Sequence, residues 1–217
     1  MHKLIRLVKR REGLDPHAFH GLWLATARST ATSGERGLVR CRQSHALERI
    51  YAKREPGFDG FSEEWYDSRA ARDAACDNAF DASAMADLLD ESRTVVLPVE
   101  VDVILDGPAL DTAVISAECI RRRPDLTPAE FDRYWRDRHG PLACQIPFQR
   151  YEQNHLARDA EKAGPLPFQG VAVVWFASTD VMRSLPGSPA HRAIREDEAN
   201  FLEGESLAIL ARSHSVL

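Results

Sequence analysis

The chain carries one motif twice: residues 13–23 read GLDPHAFHGLW, and residues 125–135 read DLTPAEFDRYW. Leucine, proline, phenylalanine and tryptophan recur at the same spacing, with an offset of 126 − 14 = 112 residues. Further along, His45 matches His155 at an offset of 155 − 45 = 110. Matches in the same order over both halves indicate an internal repeat. Its unit of about 110 residues has the size of one small domain and is too long for a solenoid repeat.

The composition excludes several classes of function. A hydrophobic content of 44% over 217 residues supports a packed core, and the net charge of −5 argues against a nucleic-acid partner, which needs a basic surface. No apolar run approaches the roughly 20 residues of a membrane helix, and the N-terminus does not resemble a signal peptide. Cys41, Cys76, Cys119 and Cys144 lack the spacing of metal ligands or redox pairs. We therefore expect free thiols, a cytoplasmic location and no metal.

Each half is predicted to run strand, helix, strand, strand, helix, strand. In the second half, Thr127 is a good N-cap, Pro128 suits the first helical position and Glu130 completes a capping box. This helix should run to about His139 and end at the Gly-Pro pair next to it. The predicted strands are 3–9, 39–45, 60–66, 94–105, 113–120, 148–156, 170–177 and 206–216, and the other helices lie at 15–27, within 68–89 and within 179–201.

The order βαββαβ is that of a ferredoxin-like unit, an antiparallel sheet with helices on one face. We predict an α+β fold with two tandem units of this kind, at residues 1–107 and 112–217, joined by a short link over 106–112. The other face of each sheet would be bare, so the two sheets could pack against each other and enclose a space.

Residues 122–128, RRPDLTP, together with Trp135 and the His-Gly-Pro-Leu sequence at 139–142, resemble the EthD-domain family, as do residues 151–155 and 170–176. The resemblance is fuller in the second half than in the first. It implies a dimeric α+β barrel whose two units are fused here, so that the barrel closes within the chain and further homodimerisation stays open. Members of the family are linked to ether degradation or dehydrate and cyclise aromatic polyketides. Relatives in the barrel group are isomerases, cofactor-independent oxygenases and haem proteins.

The first strand of each half carries a charged residue at the matching place. Glu118 shares a strand face with Val114 and Ser116, and Arg6 stands at the equivalent position. We interpret this as the face that looks into the barrel, away from the helices. Glu118 would then assist catalysis and Arg6 would bind substrate, although a structural salt bridge between them is an equal alternative.

His139 is the strongest candidate for catalysis. It lies four residues after Trp135 on one helical stripe, and Ala27 stands at the matching place in the first half. This asymmetry favours one active site per chain, with His139 as a general acid or base. The alternative is a histidine that only bonds the last carbonyl groups of its helix.

His155 shares a strand face with Tyr151, and its equivalent is His45. Retention in both halves indicates either a role in the pocket or a structural hydrogen bond, and for His155 both remain open. Tyr151 and Trp175 are interpreted as walls of the pocket that bind substrate.

Glu63 stands where the second half has Val173, and this position is often acidic in the EthD family. The acid is thus present in the half that lacks the histidine. A carboxylate from one half and an imidazole from the other could serve one pocket.

Together these features predict an enzyme without cofactor or metal that moves protons on a small, largely apolar or aromatic molecule. The reaction would be a dehydration, a cyclisation or an isomerisation, with His139, His155, Glu63 and Glu118 in the catalytic set. The first alternative is an oxidoreductase of the same barrel group, either cofactor-independent or haem-dependent. The second alternative is a non-catalytic binding or accessory protein of a catabolic pathway.

Overall fold

The computed structural model describes residues 1–31, 35–77, 83–109 and 113–217. Its strands are β1 (His2–Val8), β2 (Leu38–Ala46), β3 (Gly60–Tyr66), β4 (Val95–Leu105), β5 (Val114–Ile120), β6 (Arg150–Leu156), β7 (Gly170–Phe176) and β8 (Leu207–Ser215). Its α-helices are α1 (Pro16–Thr30), α2 (Glu48–Tyr51), α3 (Arg69–Asp77), α4 (Ser83–Ala86), α5 (Pro128–Tyr134), α6 (Gly140–Ala143), α7 (Arg158–Ala163), α8 (Thr179–Arg183) and α9 (Pro189–Glu198). A 3₁₀ turn covers Glu35–Gly37 and a π-helical turn covers Trp135–His139.

The predicted α+β class is confirmed, and short helices that were not predicted, α2 and α7, lie between β2 and β3 and between β6 and β7. The predicted helix within 68–89 and the predicted link at 106–112 include residues 78–82 and 110–112, which lie outside the described residues. In the part of the chain that the structure describes, no helix is long and apolar enough to cross a membrane.

The chain forms two compact units, one of residues 1–100 with 209–217 and the other of residues 101–208. These bounds differ from the predicted domains 1–107 and 112–217 because contacts at the end of each half cross the boundary of the repeat. In the first unit β8 pairs with β2, from Ala46 opposite Ala211 to Arg42 opposite Ser215. In the second unit Asp106 forms an ion pair with Arg150.

The first unit contains an antiparallel sheet in the order β4, β1, β3, β2, β8. Helix α1 begins after Asp15, whose side chain accepts a hydrogen bond from the backbone N–H of Ala18 at 2.9 Å. The helix buries Phe19 and Trp23 against Val8. Helix α1 therefore covers the face of the sheet to which Val8 belongs.

The second unit repeats this packing. Strands β5 and β6 flank β7 in antiparallel pairing, and the predicted capping box of Thr127 and Glu130 at the start of α5 is confirmed. Phe131 and Trp135 pack against Ile120, as their equivalents pack against Val8. The aromatic pair that marks the repeat thus fixes a helix on the same sheet face in both units.

The helix after Thr127 does not end at Gly140, which corrects the sequence prediction. A π-helical turn begins at Trp135, whose carbonyl accepts the hydrogen bond of the Gly140 N–H, and α6 continues through Pro141. A π turn shifts the hydrogen-bond register by one residue, so the ring of a proline is tolerated near the start of the next segment. The extra residue is absent from α1, which is regular from Pro16 to Thr30.

Candidate functional site

Arg6 in β1 and Glu118 in β5 were predicted to point into the barrel, and this prediction is wrong. Glu118 is two residues from Ile120 and shares its face, and Ile120 packs against Phe131 of α5. In the first unit, Arg6 donates a hydrogen bond to the carbonyl of Ala75 in α3 at 3.0 Å. Both charges therefore lie on the faces that the helices cover. Arg6 is held there by Glu64, 2.8 Å from its Nε.

Glu63 lies on the opposite face of the first sheet, in the first unit. Its carboxylate is fully buried, with Lys3 Nζ and Arg42 Nη2 each at 2.7 Å. Burial works to raise its pKa, but the charges of Arg42 and Lys3 hold the pKa of Glu63 below its ordinary value. A carboxylate so fixed in its charged form suits a structural ion cluster. Its cooperation with His139, a residue of the second unit, stays a prediction.

Trp175 and Tyr151 were both predicted to line the pocket, yet they lie on opposite faces of the second sheet. Tyr151 stands opposite Val174, and Trp175 is the next residue along β7. Trp175 is completely buried, with the guanidinium carbon of Arg150 at 5.9 Å from its ring centroid. Of the two residues, only Tyr151 shares the helix-covered face with the other candidates.

His139 is the last residue of the π-helical turn and is buried, with 6% of its surface exposed. Its Nδ1 lies 2.9 Å from Asp197 Oδ2, and its ring packs 4.8 Å from that of Phe201. The other oxygen of Asp197 accepts hydrogen bonds from the Tyr134 hydroxyl at 2.7 Å and from the Asn200 amide at 3.1 Å. The carboxylate of Asp197 thus joins α5, the π turn and α9.

These contacts determine the protonation states of the pair. Although burial works to raise it, the hydrogen bonds from Tyr134 and His139 hold the pKa of Asp197 below its ordinary value. A carboxylate can only accept, so the Nδ1 of His139 carries the proton. Burial lowers the pKa of His139 against the opposing charge of Asp197, which favours a neutral imidazole near pH 7. Within the described ranges no hydrogen-bond partner approaches Nε2, so this nitrogen is available as a base.

A second carboxyl group stands beside this pair. Glu198, the last residue of α9, lies 2.9 Å from Arg195 Nη1. Burial raises the pKa of Glu198 to about 7; the charge of Arg195 opposes this shift, and the charges of Glu118 and Asp197 add to it. Glu118 is itself held by the hydroxyl groups of Ser116 and Ser206, at 2.8 and 2.7 Å. A carboxyl that titrates near neutral pH can both give and take a proton.

The hydroxyl of Tyr151 connects the sheet to the π turn. It accepts hydrogen bonds from Trp135 Nε1 at 3.1 Å and from Gln153 Nε2 at 2.9 Å, and Gln153 Nε2 also donates to the Trp135 carbonyl at 2.8 Å. Burial raises the pKa of the Tyr151 phenol, and the charge of Glu198 contributes to the shift. Tyr151 is therefore a neutral hydrogen-bonding group within electrostatic reach of Glu198.

His155 has a different environment from His139. Its Nδ1 lies 2.9 Å from Asp132 Oδ1, its Nε2 lies 3.4 Å from Asp102 Oδ2, and its ring is 4.5 Å from that of Trp135. Asp132 also accepts a hydrogen bond from Arg158 at 2.6 Å. With a carboxylate beside each ring nitrogen, His155 suits a role that ties β6 to α5. A catalytic role for it stays a prediction.

The described residues offer little to a metal or a haem. They contain no group of three or more His, Cys, Asp or Glu side chains that could hold a metal ion. Haem needs an accessible axial ligand such as an imidazole nitrogen, and its propionate groups are negative. His155 has carboxylates beside both nitrogens, and the face that carries His139 also carries Glu118, Asp197 and Glu198. His155 therefore does not fit the axial position of a haem, and the carboxyl groups near His139 would repel the haem propionates.

An open depression of about 520 Å³ lies over the outer surface of α5. Its walls are formed by Leu126, Glu130, Arg133, Tyr134, Asp137 and Arg138. It is charged and shallow, and of the network around His139 it contains only Tyr134. The imidazole of His139 and the carboxyl groups of Asp197 and Glu198 do not line this depression.

The sequence analysis singled out His139, Tyr151 and Glu118 as candidates but not Asp197 and Glu198, which the structure places beside His139. The signal lay in the repeat. Arg10 bridges to Leu89 in the first unit and Arg122 bridges to Leu202 in the second, which gives an offset of 202 − 89 = 113 for the ends of the two halves. At this offset, Ala84 and Met85 match Asp197 and Glu198.

Comparison with known proteins supports the resemblance seen in the second half. Residues 123–205 match the family model described as the EthD domain. The second half of the chain therefore contains an EthD domain, and the matched segment includes His139, Tyr151, Asp197 and Glu198. That the first half is a further copy stays a prediction. No curated protein matches the chain.

Several solved structures share the fold over nearly the whole chain. An anthrone oxidase-like protein is 11% identical with a TM-score of 0.64, and the likeness covers 99% of this chain and 93% of that one. A chlorite dismutase from Candidatus Nitrospira defluvii is 7% identical with a TM-score of 0.60, covering 99% and 91%. A provisionally assigned monooxygenase from Lactobacillus acidophilus is 12% identical with a TM-score of 0.55, covering 100% and 94%. At these identities the likeness shows the fold alone.

Proposed function

We propose that the chain is an acid–base enzyme with one active site per chain, formed under the helices of the second unit by His139, Asp197 and Glu198. It acts on a small, largely apolar or aromatic molecule and removes a proton from an activated carbon–hydrogen bond. The outcome is a dehydration, a cyclisation or an isomerisation. The two halves are taken as ferredoxin-like copies of which only the second has kept the chemistry.

The observation that carries this proposal is that the two halves of the chain differ at three matching positions. The second half has His139, Asp197 and Glu198 where the first has Ala27, Ala84 and Met85. The phenylalanine–tryptophan pair of the repeat packs against the end of the first strand in both units, at Val8 in the first and at Ile120 in the second. Packing alone therefore does not require the three polar residues. Burying them has a cost in free energy, which function would explain.

The residues can divide the proton transfers between them. His139 Nε2 is a neutral base, and Asp197 fixes its tautomer and stabilises the imidazolium that forms, as in other carboxylate–histidine pairs. Glu198 donates a proton to the oxygen that activates the carbon–hydrogen bond while His139 removes the carbon-bound proton, so exchange at that carbon needs both groups. Its pKa near 7 leaves both of its forms populated at neutral pH. Glu118, held by two hydroxyl groups, supports the raised pKa of Glu198.

A second candidate is an oxygenase without a bound cofactor, and the fold shared with an anthrone oxidase-like protein favours it. Its first step would be the same proton abstraction. The resulting carbanion would then give electrons to O₂, so that a CH₂ group and O₂ yield a carbonyl group and water. The two candidates therefore share the base and differ only in the fate of the carbanion.

Anthrone separates the candidates, because its CH₂ group is acidic and the molecule is neutral and aromatic. Without oxygen in D₂O, the proposal predicts that the protein accelerates exchange of the CH₂ protons, measured by NMR. With oxygen, an oxygenase would also consume one O₂ per anthrone converted to anthraquinone and water, measured with an oxygen electrode. Exchange without oxygen uptake supports the lyase or isomerase type.

The decisive variant is Glu198→Gln, which keeps the shape of the side chain but removes its titration. We expect exchange to fall by about 10²-fold or more. Met85→Gln in the first half is the matched control and should leave exchange unchanged. Equal exchange by wild type and Glu198→Gln, or binding of anthrone without any exchange, would contradict the proposal and favour a non-catalytic binding protein.

A further inference from the structure

Tyr151 and Gln153 are buried together, and each has one hydrogen-bonding group without a partner in the described part of the chain: the hydroxyl proton of Tyr151 and the side-chain oxygen of Gln153. The phenol oxygen already accepts from Trp135 Nε1 and Gln153 Nε2, so its own proton remains to be donated. No acceptor for it lies among residues 1–31, 35–77, 83–109 and 113–217. Gln153 Oε1 is buried and likewise has no donor in these ranges. Tyr151 is 2% exposed and Gln153 is 0% exposed.

In the first unit, the oxygen equivalent to Gln153 Oε1 has a hydrogen-bond partner. There, His45 Nε2 lies 3.0 Å from Gln43 Oε1, and Cys41 takes the place of Tyr151. In the second unit, His155 is turned instead towards Asp132, 2.9 Å from its Nδ1. The equivalent histidine therefore hydrogen-bonds the side-chain oxygen of the glutamine in the first unit but not in the second.

We propose that Tyr151 and Gln153 form a recognition pair for a hydroxyl group of an uncharged ligand, a phenol or an alcohol. A hydroxyl oxygen can accept the Tyr151 proton while its own hydrogen is donated to Gln153 Oε1. A carbonyl or ether oxygen could use only Tyr151, and an ammonium group only Gln153. This specifies the substrate of the proposed function and rests on it in assigning the ligand as substrate.

The charges around the pair select against anions. Glu118, Asp197 and Glu198 belong to the same helix-covered face, and the charge of Glu198 acts on Tyr151. Arg195, the cation bonded to Glu198, is partly exposed and engaged by that carboxylate. A carboxylate or phosphate ligand would therefore meet net repulsion in a buried setting, where charge is weakly screened. A neutral phenol would not.

The ligand series phenol, anisole and benzene tests the pair by binding alone. Anisole accepts a hydrogen bond but cannot donate one, and benzene does neither. In wild-type protein with ¹⁵N-labelled tryptophan, we expect phenol to shift the Trp135 indole signal with an affinity about 3–10-fold above that of anisole, and anisole above benzene. Benzoate should not bind at neutral pH.

Two variants complete the experiment. In Tyr151→Phe the preference for phenol over benzene should fall to about 2-fold or less, and the comparison of ligands on one variant removes general effects on stability. Tyr66→Phe, which deletes a buried hydroxyl bonded to Glu64 at 2.8 Å in the first unit, should keep the wild-type preference. The wild-type series remains informative even if Tyr151→Phe does not fold.

Equal binding of phenol and benzene by the wild type would overturn the inference, as would a preference that survives in Tyr151→Phe. Failure of phenol to perturb Trp135 at all would mean that the pair holds only a water molecule. These outcomes are distinct from failure of the proposed function, because binding does not need proton transfer. Phenol selectivity combined with normal exchange in Glu198→Gln would support the recognition pair and reject the catalytic assignment.

Discussion

His139 Nδ1 lies 2.9 Å from Asp197 Oδ2, and both positions of this pair are occupied by alanine in the first half of the chain, at Ala27 and Ala84. His139 is the last residue of the π-helical turn Trp135–His139, and α6 follows it directly. Such turns are frequent at functional sites. The link between His139 and Asp197 therefore ties the proposed chemistry to a local irregularity of the second unit.

Replacing His139 by alanine should reduce turnover by about 10²–10⁴-fold once a substrate is identified, because a general acid or base is lost. The buried contacts to Asp197 and Phe201 mean that the free energy of unfolding should also fall, by roughly 1–3 kcal/mol.

Asp197→Asn should retain the packing yet lower turnover, because the tautomer of His139 is no longer fixed. Steady-state kinetics with urea unfolding separates the two effects. His17→Ala, an exposed change on α1, is the control.

Glu198 should make the protein less stable as pH rises. Its folded-state pKa of about 7 lies above the 4.5 of an ordinary glutamate, so between these values the folded chain binds the proton more tightly than the unfolded chain. The corresponding stability is present below pH 4.5 and is lost as pH rises to 7. Glu198→Gln should therefore be more stable than wild type at pH 8, by roughly 1–3 kcal/mol, but not at pH 4. Urea titrations at both pH values would show it, and an equal difference at both would contradict it.

The first unit should lose stability in acid through stacked imidazoles. His45 lies between His20 and His214, with ring centroids at 4.6 and 4.4 Å, and its pKa is lowered by burial first and then by these neighbours. As pH falls below 6.5, His45 takes up a proton in the unfolded chain but stays neutral in the folded chain, so the folded state loses stability. His45→Gln should therefore narrow the stability difference between pH 7 and pH 5 by about 1–2 kcal/mol. An unchanged difference would mean that His45 charges freely in the folded state.

Asp59 should be essential for folding of the first unit. It is completely buried and bonded to the Arg10 guanidinium, to the Arg10 backbone N–H at 2.9 Å and to the Tyr51 hydroxyl at 2.9 Å. Asp59→Asn leaves the buried Lys9 and the adjacent Arg10 with only the half-exposed carboxylate of Glu55 as counter-charge, at a cost of roughly 3–5 kcal/mol. Thermal unfolding measures this loss. Gln169→Ala is the matched control, because the uncharged Gln169 side chain accepts from the Arg122 N–H and donates to the Leu166 carbonyl, each at 3.1 Å, and it should cost about 1–2 kcal/mol.

Two basic residues that directly follow the first strands also form ion pairs. Lys9 is buried and pairs with Asp59 at 3.1 Å, and Arg122 pairs with Glu161 at 2.7 Å. Charge in a sequence does not show whether a counter-charge will be folded against it, and Asp59 is about 50 residues away from Lys9.

The elements of the fold were predictable because their signals are local. The capping box of Thr127 and Glu130, and the spacing of Phe131 and Trp135, specify a helix and its buried stripe without reference to the rest of the chain. The π turn was not predictable, because Gly140 and Pro141 are ordinary stop signals. Gln153 donates to the Trp135 carbonyl at 2.8 Å, but Gln43 likewise donates to the Trp23 carbonyl of the regular helix α1, so this contact does not account for the turn.

The sequence by itself determined the repeat, the order of strands and helices, and the asymmetry that singled out His139. Each of these depends on spacing or on comparison of the two halves, which the chain carries in its own order. Only the tertiary structure decided which face of a strand is covered by helices, and it reversed the expectation for Arg6 and Glu118. It also brought Asp197 and Glu198 to His139 across about 60 residues, because strand alternation gives two faces but does not say which one a helix will bury.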